Sequence, residues 1–191
     1  MIEKVVKKRD LNNHNQPKED LEYWLSRTPE ERLAAVEILR EQYYGTSADF
    51  KELLELLNSN EVDYIVVGGY AMAFHGSPRL TGDIDLFIQR SSENAERLLR
   101  VLEQFGFGSL ELSIDDFTRP NQVVQLGHPP IRIYFLTSLD GVESEEANSA
   151  KIAGRFGDVP VYYIEREQLI QNKRALGRAR DIADIEALDG N

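Results

Sequence analysis

Asp83 and Asp85, two aspartates separated by one residue, are the side chains in this chain best suited to chemistry. They head a short apolar run, Ile84, Leu86, Phe87 and Ile88, that reads as a β-strand. Positions i and i+2 of a strand project from one face with Cα atoms roughly 6.5–7 Å apart, so the two carboxylates can converge. Hard oxygen donors at that spacing suit Mg²⁺ or Mn²⁺, and the ions of two-metal sites lie about 3.5–4 Å apart. Two like charges at the head of an apolar strand are costly without a cation to neutralise them. Taken alone, the pair is equally compatible with ordinary turn residues after Gly82.

A second feature lies upstream. Tyr64-Ile65-Val66-Val67 is a continuous apolar run that ends at Gly68-Gly69, after which helical patterning resumes over 70–74. A buried strand that breaks at two glycines and enters a helix lets backbone amides approach a polyphosphate, since no Cβ intervenes and a helix N-terminus favours anions. Most Gly-Gly pairs only turn the chain, so this signal is weak by itself.

The remaining elements must position these two features. Residues 1–17 are polar and rich in Asn and Lys, and they read as a flexible arm. Thr28-Pro29-Glu30-Glu31 is a helix start, with Thr28 as N-cap, Pro29 at the first helical position and Glu31 closing a capping box. Leu33, Val36, Ile38, Leu39 and Tyr43 continue its apolar side as far as Gly45, and a second helix is expected over 48–57. Tyr23, Trp24, Tyr43 and Tyr44 are expected to form a helix-docking core rather than a base-stacking platform. Downstream, a helix over 95–105 ends at Gly106, and strands follow over 123–126, 131–136 and 159–164. Helices over 167–176 and 181–188 close the chain. The order β-α-β-α-β-β-β-α predicts an α/β or α+β domain around a mixed sheet. It divides into the arm, N-terminal helices over 18–58 and a main domain over 59–191.

Composition narrows the function classes. The chain has 191 residues, 41% hydrophobic and 29% charged, enough to bury a core without disulfides or structural metal. It has no cysteine, which excludes a disulfide framework, a thiolate zinc site and a cysteine nucleophile. No apolar run approaches the roughly 18–20 residues that span a bilayer, and the basic N-terminus lacks the apolar stretch of a signal peptide. A cytoplasmic protein without a membrane partner is the expectation. The net charge of −11 opposes general binding to nucleic acid, although Arg166, Lys173, Arg174, Arg178 and Arg180 form a candidate basic patch.

Together the two features are more specific. Gly68-Gly69-Tyr70-Ala71 followed by His75-Gly76-x-x-Arg79-x-Thr81-x-Asp83-Ile84-Asp85-Leu86 resembles the signature of the nucleotidyltransferase superfamily. The wording is most similar to a bacterial branch that includes the toxins of abortive-infection and toxin–antitoxin systems. The stretches 125–142 and 169–184 resemble the later strand and the C-terminal helical segment of that branch, so the similarity covers roughly residues 60–190. It implies the nucleotidyltransferase fold, with Gly68 and Gly69 contacting a triphosphate through their backbone and Asp83 and Asp85 holding Mg²⁺ or Mn²⁺. It also implies Lys173 as a catalytic cation for phosphate or for the carboxylate cluster, and Arg79 as a second cation at the nucleotide. His75 is read as a substrate contact or a helix C-cap, and Thr81 as a structural hydroxyl. The implied activity is transfer of a nucleoside monophosphate from an NTP to a hydroxyl of RNA or protein, with a cognate antitoxin as partner.

One departure bears on turnover. The resembled strand normally reads Arg-Ile-Asp-Leu, its aspartate being the third carboxylate and base, whereas here Arg132-Ile133-Tyr134-Phe135 places a tyrosine there. A phenol, with a reference pKa of about 10, is a poor base at neutral pH. Asp115, Asp116 and Asp140 are candidate substitutes that the sequence does not place. Two alternatives stay open: a catalytically degenerate nucleotide- or partner-binding module, and a small-molecule nucleotidyltransferase of the aminoglycoside type.

Overall fold

The computed structural model describes residues 16–44, 50–109, 111–129 and 131–190. Most of the arm, and the start expected for the helix over 48–57, lie outside these residues. Helix α1 (Gln16–Leu25) is followed by α2 (Pro29–Tyr44) and α3 (Phe50–Ser59). The capping box at α2 is formed: Glu31 N–H donates to Thr28 Oγ1 at 3.2 Å, and Thr28 N–H donates to a Glu31 carboxylate oxygen at 2.8 Å.

The body is a six-stranded mixed sheet in the order β3-β4-β2-β1-β6-β5. Strand β1 (Tyr64–Val67) runs directly into α4 (Gly68–Phe74) and then β2 (Asp83–Ile88). Helix α5 (Ser92–Leu102), a π-helical turn over Glu103–Phe107 and α6 (Ile114–Thr118) lead to the hairpin β3 (Val123–His128) and β4 (Ile131–Leu136). Helix α7 (Ser144–Ala150), β5 (Ile152–Phe156) and β6 (Val159–Tyr163) follow, and α8 (Arg166–Leu176) and α9 (Ala179–Asp189) end the described chain. Strand β1 is antiparallel to β2 and parallel to β6, while β2 is parallel to β4. Every residue of β1 is buried, as its unbroken apolar run requires of a central strand. Asn94, a buried residue in the first turn of α5, accepts from Asp63 N–H at 2.7 Å and donates to the carbonyls of Asp63 and Gln89 at 2.9 Å. This one amide fixes the end of the β1–β2 pair opposite the aspartates.

Several elements differ from the sequence reading. Strand β5 is an addition, made of a short stretch with Gly154 and Arg155 at its centre that carries little apolar signal. Gly154 has a packing reason: a Cβ there would come within 2.7 Å of the Phe74 ring, which stacks on Tyr163 at 4.2 Å. The helix after β2 is expected unbroken to residue 105, yet α5 ends at Leu102 and the chain continues as the π-helical turn, with Gly106 at φ +94°. Helix α2 buries Arg32, Leu33, Val36 and Arg40, and leaves Ile38, Leu39 and Tyr43 exposed. The long Arg40 side chain reaches the body, where its guanidinium stacks on Phe50 and pairs with Glu37. The expected aromatic docking core is likewise not formed, because Tyr23 and Tyr43 are exposed and, among the described residues, their rings pair edge-on with their chain neighbours Trp24 and Tyr44. Among the described residues no helix is long and apolar enough to cross a membrane.

Candidate active site

The register of three strands builds the site. Val67, last in β1, pairs with Asp85 of β2, so the Gly68-Gly69 turn starts beside that carboxylate. Gly68 adopts φ +60°, and a Cβ on it would lie 2.0 Å from Asp85 Oδ2. The first glycine therefore makes room for the aspartate as well as for the turn. Gly69 N–H donates to the Asp85 carboxylate, and a Cβ on Gly69 would press on Thr81 at 3.0 Å. Thr81 is buried, and its hydroxyl lies 3.3–3.4 Å from the backbone of Asp83, in keeping with a structural role.

On the other side, parallel pairing sets Asp83 opposite Arg132 and Asp85 opposite Tyr134. Arg132 grips Asp83 through two bonds of 2.8 Å, and its guanidinium also lies 5.5 Å from the Tyr134 ring centre. Asp85 has no such partner. Its burial, and then the charge of Asp83, push its pKa up to about 6, against the opposing pull of Gly69 N–H, Lys173 and Arg79. Asp85 is a carboxylate short of positive charge.

A wall of cations from α8, the start of α9 and the loop before β2 lines the same cleft as Asp85. Lys173, buried on α8, places Nζ 2.6 Å from Asp184 and 3.5 Å from Asp181. Arg79, from the loop before β2, bonds Asp184 through Nε and Nη2 at 2.9 and 3.0 Å. Arg178 donates to Asp181 at 2.6 Å. Burial raises the pKa of Asp184, but Arg79 and Lys173 outweigh it and hold the carboxyl below its usual range. Arg178 and Lys173 overcome burial in the same way at Asp181. Three cations against two carboxylates leave one positive charge in surplus, and among the described residues Arg79 Nη1 is a buried donor without a hydrogen-bond partner.

All six residues singled out from the sequence, Gly68, Gly69, Arg79, Asp83, Asp85 and Lys173, line one cleft of about 660 Å³. Tyr134 and Asp140 line it too. Asp115 and Asp116 do not: Asp115 pairs with Arg119, and Asp116 bonds Ser113 at the start of α6. His75 takes the helix-cap role, half-buried with Nε2 2.7 Å from the Ile164 carbonyl, and burial lowers its pKa. The basic patch does not form as one surface, since Lys173 is buried and Arg166 bonds Glu167, Asp189 and the Leu188 carbonyl. The sequence reading missed the partners of the cations. Asp181 and Asp184 share a face of α9 at helical spacing, and Arg132 shares the strand parity of Tyr134; both signals are present in the sequence but need the sheet register to acquire meaning.

By its family match this chain is a nucleotidyltransferase. Residues 49–174 match the model of the aminoglycoside-2''-adenylyltransferase family, and the chain belongs to that family. Among solved structures it resembles a protein from Thermotoga maritima assigned as a nucleotidyltransferase, at 18% identity and TM-score 0.50, over 77% of this chain and 92% of that one. An antigenic nucleotidyltransferase-like protein from Paracoccidioides brasiliensis aligns at 18% identity and TM-score 0.45, over 83% of this chain and 75% of that one. No curated protein matches.

Proposed function

We propose that the chain transfers a nucleoside monophosphate from an NTP to a hydroxyl group with release of pyrophosphate, using a divalent cation. The observation that carries this reading is the juxtaposition of Asp85, short of positive charge, with a wall that has cation to spare.

The donor set fits one Mg²⁺ or Mn²⁺. Asp83 and Asp85 are hard oxygen ligands on one strand face, and a cation would offset the burial and the Asp83 charge that raise the Asp85 pKa. Among the described residues no group of three or more acidic or histidine side chains could hold a metal alone. Mg²⁺ commonly takes one or two carboxylates and fills its shell with water and substrate phosphates. The bound ion would neutralise charge on the phosphates as pyrophosphate leaves. Lys173 and Arg79 contribute fixed positive charge at the same end of the cleft, and Asp184 keeps both in place.

For the acceptor, the charge of the cleft supports a hydroxyl of RNA or protein. Asp181 and Asp184 are committed to Arg178, Lys173 and Arg79, and Arg180 lines the cleft while remaining exposed. A polycationic acceptor would meet few open carboxylates. The toxin-like reading, with a cognate antitoxin as partner, follows from the resemblance of the Gly68–Leu86 segment. The family match favours a second reading, an aminoglycoside-type acceptor. Tyr134, in register with Asp85, favours a third, a nucleotide-binding module without turnover.

Thermal unfolding tests the common element. Mg²⁺ with an NTP is expected to raise the melting temperature of wild type and not that of Asp83→Asn/Asp85→Asn. An equal shift in the double variant would remove both aspartates from the metal site.

A further inference from the structure

We propose that Asp140 is the general base that takes the proton from the acceptor hydroxyl, replacing the carboxylate that position 134 lacks. The inference rests on the nucleotidyl-transfer reading above.

Five carboxylates line the cleft, and four of them are engaged. Asp83 is held through both oxygens by Arg132, and Asp85 accepts from Gly69 N–H at the intended metal position. Asp181 and Asp184 bond Arg178, Lys173 and Arg79. A base must be free to take up the proton, and these four are each tied to a cation of the protein or, for Asp85, assigned to the metal. Among the described residues the Asp140 carboxylate makes no hydrogen bond or ion pair, and the residue is solvent-exposed.

Its backbone, by contrast, is fixed. The loop after β4 is pinned by the buried residues Leu139 and Val142, which pair with each other. Asn172 of α8 donates to the Asp140 carbonyl at 2.9 Å, and Gln171 donates to the Gly141 carbonyl. Gly141, at φ +74°, packs so close to α8 that a Cβ would come within 2.8 Å of the Ala175 methyl. The helix that carries Lys173 thus also anchors the loop that presents Asp140. Arg178 also lines the cleft, and after its own partner Asp181 the charges of Asp85 and Asp140 raise its pKa. A free carboxylate on an anchored backbone, lining the same cleft as Asp83 and Asp85, is open to a hydroxyl that enters there, as a base must be.

In the step itself, the acceptor O–H bond breaks and its proton passes to Asp140. The acceptor oxygen forms a bond to the α-phosphorus, and the Pα–O bond to the β-phosphate breaks. The pyrophosphate leaves with the electron pair.

The test is label transfer from each of four α-labelled NTPs, with Mg²⁺ and total RNA plus cell lysate as acceptors. It compares wild type, Asp140→Asn and Asp140→Asn/Tyr134→Asp, with the melting shift on Mg²⁺ and NTP measured for each. Asp140→Asn is expected to keep the melting shift and to lose transfer by about 10²–10⁴-fold, the usual weight of general base catalysis. Recovery of transfer in the double variant would support the assignment further. Transfer by Asp140→Asn within threefold of wild type overturns the proposal and leaves the transferase reading standing. Loss of the melting shift also overturns it, since Asp140 would then serve binding or folding. A wild type that transfers nothing overturns both.

Discussion

Asp85 on β2 stands in register with Tyr134 on the adjacent parallel strand β4, and both side chains line the same cleft. A carboxylate in place of that phenol would face the metal position directly. Arg132, two residues away on the same face, neutralises Asp83. Strand β4 therefore supplies a cation and a phenol to the site, and no negative charge.

Tyr134→Asp is expected to raise transfer, because it adds a third oxygen ligand beside Asp85. A gain on the order of tenfold corresponds to about 1.4 kcal/mol of barrier. Initial rates at saturating NTP give the measurement. An unchanged rate would show that a carboxylate at position 134 does not reach the reacting groups.

Gly68→Ala is expected to fail on two counts. The new methyl would collide with Asp85 Oδ2, and φ +60° is strained for alanine. A stability loss of about 1–3 kcal/mol in urea unfolding is the expected outcome, together with loss of the Mg²⁺–NTP melting shift. A stable variant that still binds would mean the turn can relax away from β2.

Lys173→Met tests the cation wall. Removing the ammonium strips Asp184 of one buried partner and Asp181 of a more distant one. Breaking a buried pair costs about 3–5 kcal/mol, with Arg79 and Arg178 limiting the loss here to the lower end. The folded-state pKa of Asp184 is lowered, so the stability its ion pairs provide is present above the usual carboxylate range and fades as pH falls through that lowered value. The gap between wild type and variant should therefore be widest near neutral pH and shrink in acid.

Asp85 predicts the opposite trend. Its folded-state pKa is raised to about 6, so between the usual carboxylate range and that value the native state binds the extra proton. Its contribution then disfavours the fold as pH rises through about 6. Asp85→Asn should stabilise the nucleotide-free protein at pH 7.5, on the order of 3 kcal/mol, and flatten its stability between pH 4 and 7. A destabilised Asp85→Asn at pH 7.5 would show that Lys173 and Arg79 already satisfy the carboxylate.

The parts of this architecture legible from sequence were those carried by local pattern. The apolar run at 64–67, the glycines after it and the i, i+2 aspartates place β1, the turn and β2 where the structure has them. The capping box at Thr28 forms for the same reason, since its partners lie three residues apart. What escaped depends on long-range pairing. Strand β5 takes its place from β6 and from the Phe74 ring packed on Gly154. The burial of Arg40 rather than Ile38 follows from how α2 lies on the body. The Asp184 clamp on Arg79 spans 105 residues and has no local trace. Asp140 is one acid among many until the loop after β4 is seen fastened to α8.

The central claim is that Asp83 and Asp85 organise nucleotidyl transfer in the cleft below the Gly68-Gly69 turn. The most direct measurement incubates wild type and Asp83→Asn/Asp85→Asn with each α-labelled NTP, Mg²⁺ or Mn²⁺, total RNA, lysate and an aminoglycoside. Label reaching one acceptor with wild type alone, from one preferred NTP, is the predicted result. Equal labelling by the double variant would contradict the role of the aspartates, and folded wild type that labels nothing would contradict the transferase itself.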